Sequence, residues 1–463
     1  MSSQINVVIL AAGLGTRMKS KRAKVLHRAG GLSLIEHVVA AASTITPSDR
    51  ATVVVGHQSA QVRQLLAPSG VRFVEQTEQK GTGHALLACR ESLASEPGLV
   101  VVLYGDCPLL APATLSELVR RQSSVNAAAT LITTRLDDPT GYGRVIFDDQ
   151  HRVRAIVEQK AATPEQLSIP VINSGIYCFH AELLWRHLLE IRPDNPAHEY
   201  YLTDIIEILN RAGHHVSAME VENPAELLGI NTRVELAEVD RIFRGRKVRE
   251  LMLAGVTIEK PETVTVDAQV RIGADSIVEP FAQILGNTEI GEEAHIGACA
   301  IIQNSTLGAA VEVAPFTHIV DSRIEVGAHI GPFARLRGGA RIGSNARIGN
   351  FVELKNTNFG AGAKANHLAY LGDAEIGENT NIGAGTITCN YDGANKHPTR
   401  IGKDAFVGSN STLVAPLEIG DDSYIGAGSV ITSKVPAEAL ALGRARQVVK
   451  EGWAANRKKK KKK

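Results

Sequence analysis

Two stretches of this 463-residue chain carry residue types at spacings suited to chemistry. The first is GLGTRM, Gly13 to Met18, with Lys24 six residues past Met18. A glycine turn exposes backbone N–H groups, and with Arg17 and Lys24 behind it such a turn would cradle phosphates. It is not the dinucleotide fingerprint GxGxxG, because the third glycine is missing and Thr16-Arg17 stands instead. Taken alone it is equally a tight strand-to-helix turn with surface cations. The second stretch brings together Arg335, Arg337, Lys355, His367 and Tyr370, and Lys355 follows Arg337 by eighteen residues. Cations so spaced would suit a sugar phosphate. Read alone, they are also the solvated face of a scaffold. His27, His57, His84 and His295 are given no such role.

The scaffold of the second set is legible as a period of six. Val266, Ile272, Val278, Ile284, Ile290, Ile296 and Ile302 form one run, and Ile324, Ile330, Leu336, Ile342, Ile348 and Leu354 a second. Ile401, Val407, Leu413, Ile419, Ile425 and Ile431 make a third. Six is neither the 3.6 of a helix nor the 2 of a strand, and hexapeptide repeats mark a parallel β-helix. Glycine often follows the apolar residue, as at Gly273, Gly291 and Gly383, which suits corners where a Cβ would crowd the bend. Three hexapeptides close one turn of about 18 residues, so Lys355 lies one turn above Arg337. The phase slips by one at Ile302 to Leu307, Ile319 to Ile324, Leu354 to Phe359 and Leu371 to Ile376, which predicts shortened corners. TCNYDGANKHPTR, Thr388 to Arg400, breaks the period and predicts a loop. Roughly nine or ten turns at ~4.8 Å give a prism on the order of 45 Å long.

The first set needs a different support. Asn6 to Ala12 is an apolar run that ends in Gly13, and similar runs follow at Ala51 to Val55, Val71 to Val74 and Leu99 to Leu103. Helix-like segments such as Leu34 to Ala42 and Thr114 to Arg121 separate them. Buried parallel strands alternating with helices predict an α/β Rossmann-like domain with its ligand at the carboxyl ends of the strands. From Thr232 to Val256 the chain is charged, free of proline and apolar at helical intervals, predicting a linker helix. The expected domains are thus 1–231, a helical linker over 232–256, and a β-helix domain over 257–463 that ends in a basic tail.

Fifty Lys and Arg against 49 Asp and Glu leave no field to attract nucleic acid. The exception is Lys458 to Lys463, read as a disordered, solvated end. Five cysteines, Cys89, Cys107, Cys178, Cys299 and Cys389, lie far apart without a CxxC pair, so neither a zinc site nor a disulfide framework is expected. The start lacks a basic n-region and a long apolar h-region, and no run approaches ~18 apolar residues. A cytoplasmic protein without stable membrane association is the expectation.

Several motifs carry a family resemblance: LAAGLGTRM (Leu10 to Met18), KVL (Lys24 to Leu26), QKGTGHA (Gln79 to Ala85), LYGDCPLL (Leu103 to Leu110), DDPTGYGRV (Asp137 to Val145), IVEQKAA (Ile156 to Ala162), INSGIY (Ile172 to Tyr177), EYYLTDII (Glu199 to Ile206) and GINTR (Gly229 to Arg233). Together they resemble the sugar-1-phosphate nucleotidyltransferases, and more narrowly the uridylyltransferase half of the bifunctional bacterial enzymes that make UDP-N-acetylglucosamine. The resemblance implies that Leu10, Ala11, Ala12 and Gly13 lie against the uridine nucleotide, while Arg17 and Lys24 neutralise its triphosphate. It assigns Gln76, Gly81 and Thr82 to the uracil and ribose, and Tyr104, Gly105, Gly141, Glu158 and Asn173 to the sugar. Asp106 and Asn231 would bind Mg²⁺. Ala23 departs from the proline usual before the lysine, which would loosen Lys24, and Leu14 departs at a variable position.

FARLRGGARIGSNARIGNFVELKNTNFGAGAKANHLAYLGDAEIG, around Arg337 and His367, and IGAGTITCNYDGANKH, Ile382 to His397, resemble the acetyltransferase half of the same enzymes. That half is a left-handed parallel β-helix which assembles as a homotrimer with sites between subunits. The resemblance implies that Arg337, Lys355, Tyr370 and Asn381 bind glucosamine-1-phosphate and that His367 is the general base. Asn390 and Tyr391 would meet the acetyl region, and Ala384, Ser409, Ala427 and Arg444 would contact acetyl-CoA. Gly338 stands where a proline is usual, a change in local stiffness. The implied activity is acetylation of glucosamine-1-phosphate from acetyl-CoA, followed by coupling of the product to UTP. The substrates are small molecules. The rivals are a single-activity sugar nucleotidyltransferase with a structural or regulatory β-helix, and a non-catalytic subunit of the same two-domain plan. His367 with Lys355 and Arg337 speaks against the first, and Asp106 with Asn231 against the second.

Overall fold

The computed structural model describes residues 4–195 and 197–460. They divide into two compact units, Met1–Phe243 and Arg244–Lys463.

In the first unit, alternating side chains of the apolar runs pack on two faces of one sheet. Val8, Leu10, Val100 and Val102 join one core, and Val7, Ile9, Val101 and Leu103 the other. The sheet order is Val216–Glu220, Ala129–Arg135, Val171–His180, Leu99–Tyr104, Ile5–Leu10, Ala51–Val55, Arg72–Glu75. Leu34–Ala42 and Pro112–Val125 are helices. The expected parallel pattern breaks at Val171–His180, which runs antiparallel to Leu99–Tyr104 and Ala129–Arg135, and off this order Arg144–Phe147 pairs antiparallel with Val171–His180 and with Val153–Val157. An apolar run reads the same in either direction, so periodicity could not reveal this. The consequence is functional, because the reversed strand brings its early residue Asn173 to the edge where the parallel strands end.

Arg233–Leu253 is a helix. Near its middle, Phe243 stacks on His37 with ring centroids 4.0 Å apart, and Asp240 accepts the Gly30 N–H at 2.8 Å. In the second unit Val248 and Leu251 join the β-helix core, and Arg244 pairs with Asp267 at 2.8 Å.

The second unit winds three parallel sheets of eleven, ten and nine strands, each strand pairing with the one a turn later. Arg335 pairs with Glu353, Leu336 with Leu354 and Arg337 with Lys355. The inward residues of the six-residue repeat form one continuous core from Val248 to Val435. All four predicted slips fall at one corner, where Asn304, Asp321, Asn356 and Asp373 take left-handed φ of 48° to 50°. Gly338, at φ 65°, belongs to that stack. Proline cannot adopt this φ, so the glycine changes the backbone path and not merely its stiffness. The glycines after the inward residue answer to close approach: a Cβ on Gly291 would lie 2.6 Å from the Ala309 nitrogen of the next turn. The loop is shorter than predicted, since Ile387–Cys389 and Thr399–Ile401 are strands and only residues 390–398 leave the coil. Trp453–Lys460 is helical, so Lys458 to Lys460 are not the disordered end expected, and Lys461, Lys462 and Lys463 lie outside the described residues.

Candidate functional site

The first site is built where two parallel strands end level. Leu10 is in register with Tyr104, and the Gly105 N–H donates to the Leu10 carbonyl at 3.0 Å, so the turns carrying Gly13 and Asp106 leave side by side. Gly15 has φ 61°, and a Cβ on it would lie 2.7 Å from the Lys24 Cβ. Glycine there lets the lysine stem pass against the turn. Ala23 donates its N–H to the Gln58 side chain at 2.7 Å, a tether proline could not make. The expected loosening of Lys24 is therefore offset.

Lys24 Nζ is ion-paired with Asp106, each side chain only 15% exposed, and donates to Asn231 Oδ1 at 3.1 Å. Arg17 donates to the same oxygen at 2.8 Å. The Ile230 N–H donates to the Asp106 carbonyl at 3.0 Å, and Glu235 accepts the Asn231 and Thr232 N–H groups at 2.6 and 2.7 Å. Two residues 125 positions apart in sequence thus aim oxygens at one positive nitrogen. A carboxylate and an amide oxygen that share a cation in this way form a donor set fit for a hard divalent ion.

Around this point stand the other candidates. Gln76 is buried and donates to the Gly81 carbonyl at 3.1 Å. Gly81 has φ 103°, and a Cβ there would meet the Tyr200 carbonyl at 2.6 Å. Thr82 accepts the Leu202 N–H at 3.1 Å and hydrogen-bonds Tyr104, whose phenol burial pushes well up. Asn173 donates to the Tyr177 hydroxyl at 2.8 Å, and Gly141 donates to the Gln159 side chain. Leu10, Ala11 and Ala12 are buried, and Gly13 is open. Glu158 accepts from Thr203 at 3.2 Å, and burial raises its carboxyl. Next to it is Asp204, a residue the sequence reading did not single out. Burial first, then Glu158 and Glu207, push its carboxyl up to about 6. Its position inside EYYLTDII was the available signal.

In the second unit the register separates the candidates into two groups. Arg337, Lys355 and Gly372 stack at the end of consecutive strands. Arg337 donates to Glu353 at 2.7 Å, and Arg335, Glu353 and Tyr370 stack at the other end of the same strands. Beside Lys355, burial opposes ionisation of Asp373, but hydrogen bonds from Asn356 and Asn390 and the Lys355 charge hold its carboxyl below the ordinary value. Lys396, unremarked in the sequence, stands against Lys355, and that neighbour lowers its pKa.

His367 lies at the other end of the strand Tyr370–Gly372 from these cations. It is exposed, and Nδ1 contacts the Asn350 Oδ1 at 2.7 Å. Asn350, His367, Ala384, Ser409 and Ala427 each sit two residues past an inward residue of successive turns, making one column in which small side chains follow the histidine. Asn381 opens the strand beneath Ala384 and pairs with Lys364. Asn390 is buried, Tyr391 is exposed and donates to the Gly393 carbonyl at 2.6 Å, and Arg444 is exposed beyond the last strand. One residue past the column runs a ladder of apolar side chains, Phe281, Phe316, Phe333, Phe351 and Leu368, 48% to 60% exposed. Phe316, Phe333 and Phe351 stack at 5.1 and 5.3 Å.

Among the described residues no helix is long and apolar enough to cross a membrane, and no cluster of three or more His, Cys, Asp or Glu residues could hold a metal.

Comparison with known proteins matches the first unit to the MobA-like NTP transferase domain over residues 7–190. The second matches the bacterial transferase hexapeptide model over residues 269–304 and the hexapeptide repeat of succinyl-transferase over residues 398–433. Hexapeptide stacking of this kind is that of a left-handed parallel β-helix. The chain is 58% identical over 459 residues to the bifunctional protein GlmU of Solibacter usitatus, covering 99% of this chain and 98% of that one. It is 50% identical to that of Koribacter versatilis, with the same coverage, and 48% identical to that of Anaeromyxobacter dehalogenans, over 97% of this chain and 92% of the other.

Proposed function

Because this chain belongs to the GlmU family of bifunctional enzymes, we propose that its two sites divide one synthesis between them. The β-helix unit acetylates glucosamine-1-phosphate, and the α/β unit couples the product to UTP. The stretch 232–256, with its helix Arg233–Leu253, links a nucleotidyltransferase domain, 1–231, to the acetyltransferase domain, 257–463.

For uridylyl transfer, what supports the reading is the meeting of Asp106 and Asn231 oxygens on one ammonium group. A sugar phosphate with a second pKa near ~6 is already largely dianionic at neutral pH, so its attack on the α-phosphorus needs no base. The obstacle is charge. Arg17 and Lys24 draw the two anions together and neutralise the leaving pyrophosphate. Asp106 and Asn231 would hold Mg²⁺, which when bound supplies further positive charge to the phosphate oxygens. Gln76, Gly81 and Thr82 orient the base and ribose, and Tyr104, Glu158 and Asn173 the sugar.

Acetyl transfer needs a base, since an amine of pKa about 8 is mostly protonated at pH 7. The Asn350 amide oxygen can only accept, so its contact implies that His367 Nδ1 carries the proton. Nε2 is then the atom that removes a proton from the amine as it attacks the thioester of acetyl-CoA. Arg337, Lys355, Tyr370 and Asn381 hold the sugar phosphate. The small side chains of Ala384, Ser409 and Ala427 leave a track for the coenzyme beyond the histidine.

Within one chain the base and the cations flank a strand, and the apolar ladder runs beside the base. We therefore read that corner as the contact between copies in a homotrimer, with each acetyltransferase site completed by a neighbour. A cytoplasmic location is supported by five free thiols.

The experiment measures CoA thiol release and pyrophosphate release separately. His367→Ala should lower acetyl transfer by about 10²–10⁴-fold and leave UTP coupling intact. Asp106→Ala should do the reverse. Loss of both activities from either change in a folded protein would refute the division.

A further inference from the structure

We propose that Lys24 is the resident counter-ion of the Asp106–Asn231 oxygens, and that the triphosphate must draw it away before a divalent metal can bind there. This rests on the reading of Asp106 and Asn231 as metal ligands. Both side chains are already engaged: Asp106 by the Lys24 ammonium, and Asn231 Oδ1 by Lys24 at 3.1 Å and Arg17 at 2.8 Å. The pair is largely shielded from water, each side chain 15% exposed, so solvent screens it poorly. A divalent ion held by the same oxygens would sit within contact range of the Lys24 and Arg17 charges. It would be repelled until they moved.

The local backbone allows such a move. Lys24 begins a short turn, Lys24–Leu26, anchored through the Ala23 tether to Gln58, while its stem runs against Gly15 of the phosphate turn. Swinging about that stem carries the ammonium from the carboxylate toward the Gly13–Gly15 N–H groups, where the triphosphate is proposed to lie. Nucleotide and metal are then positively coupled through one side chain. By linkage each raises the affinity of the other. Until then Lys24 keeps the Asp106 carboxylate paired, and the metal is taken up with UTP.

The test uses the full-length protein and Mn²⁺, with bound metal followed by water-proton relaxation, first alone and then with UTP in the absence of sugar phosphate, so that no turnover occurs. Lys24→Met and Lys24→Gln remove the charge while keeping the stem, and thermal melts verify that both are folded. Wild type should bind Mn²⁺ weakly alone and at least about tenfold more tightly with UTP. Both variants should bind Mn²⁺ alone at least about tenfold more tightly than wild type, and the added change Asp106→Asn should abolish that gain. If neither Lys24 variant binds Mn²⁺ alone more tightly than wild type, or if the gain survives Asp106→Asn, the counter-ion role is overturned. If UTP-dependent Mn²⁺ binding ignores Asp106→Asn in the wild-type background, Asp106 is no ligand, and the reading of the metal site falls with the inference.

Discussion

Lys396 shows how a single side chain can matter without a sequence pattern to announce it. It sits on the loop that leaves the coil, and its ammonium stands against Lys355, a repulsion that Asp373 beside them partly offsets and a phosphate between them would relieve further. A phosphate there would gain two charge-assisted hydrogen bonds in place of one. Lys396→Ala is therefore expected to raise the KM for glucosamine-1-phosphate in acetyl transfer on the order of tenfold, with a smaller change in kcat and none in UTP coupling. Equal loss in kcat and KM, or an unchanged KM, would remove it from the phosphate site. Its partner Lys355 was legible because eighteen residues separate it from Arg337, one turn of coil. Lys396 was not, because the loop has no period and its return to the coil depends on contacts such as the His397 N–H to Asn390 carbonyl bond at 2.8 Å. Asp204 was hidden for another reason, since burial beside Glu158 is a property of packing and not of spacing.

At the scale of elements, the six-residue period was readable because each inward residue is buried by the same residue a turn later. The core depends on that repetition more than on any one side chain. The glycines that follow are its steric counterpart. Gly291→Ala would press a methyl to 2.6 Å from the Ala309 nitrogen and 2.7 Å from the Gly308 carbonyl carbon, backbone atoms that can yield only by spreading two turns. It should cost about 1–3 kcal/mol in urea unfolding. Gly245, inside the helix Arg233–Leu253, offers the opposite case, since nothing lies within 4 Å of a Cβ there. Gly245→Ala should stabilise by about 0.5–1 kcal/mol, through helix propensity alone. A neutral Gly291→Ala would mean the turns are not in tight register. The α/β sheet was less legible than the coil: its strands announced themselves by apolar runs, but the reversal of Val171–His180, which carries Asn173 to the site, is set by pairing partners distant in sequence.

For the whole molecule, the proposed homotrimer turns on the Phe281 to Leu368 ladder. Five large apolar side chains in a line on one corner are more than a solitary chain exposes without use, and they pass within one residue of His367. A second copy laid along this corner would cover the ladder and close the open side of the base, while the cations across the strand Tyr370–Gly372 would face another copy. Phe333, stacked between Phe316 and Phe351, is the central rung. Phe333→Glu would place a charge in that contact and leave the inward core untouched, because the residue points out of the coil and is 48% exposed. Sedimentation should then show the 49.5 kDa chain alone where the wild type shows three. Acetyl transfer should fall on the order of a hundredfold through lost positioning, and pyrophosphate release from UTP should be unchanged. A variant that remained trimeric, or a lone chain that kept full acetyl transfer, would show that the base needs no neighbour and would confine each reaction to residues of a single chain.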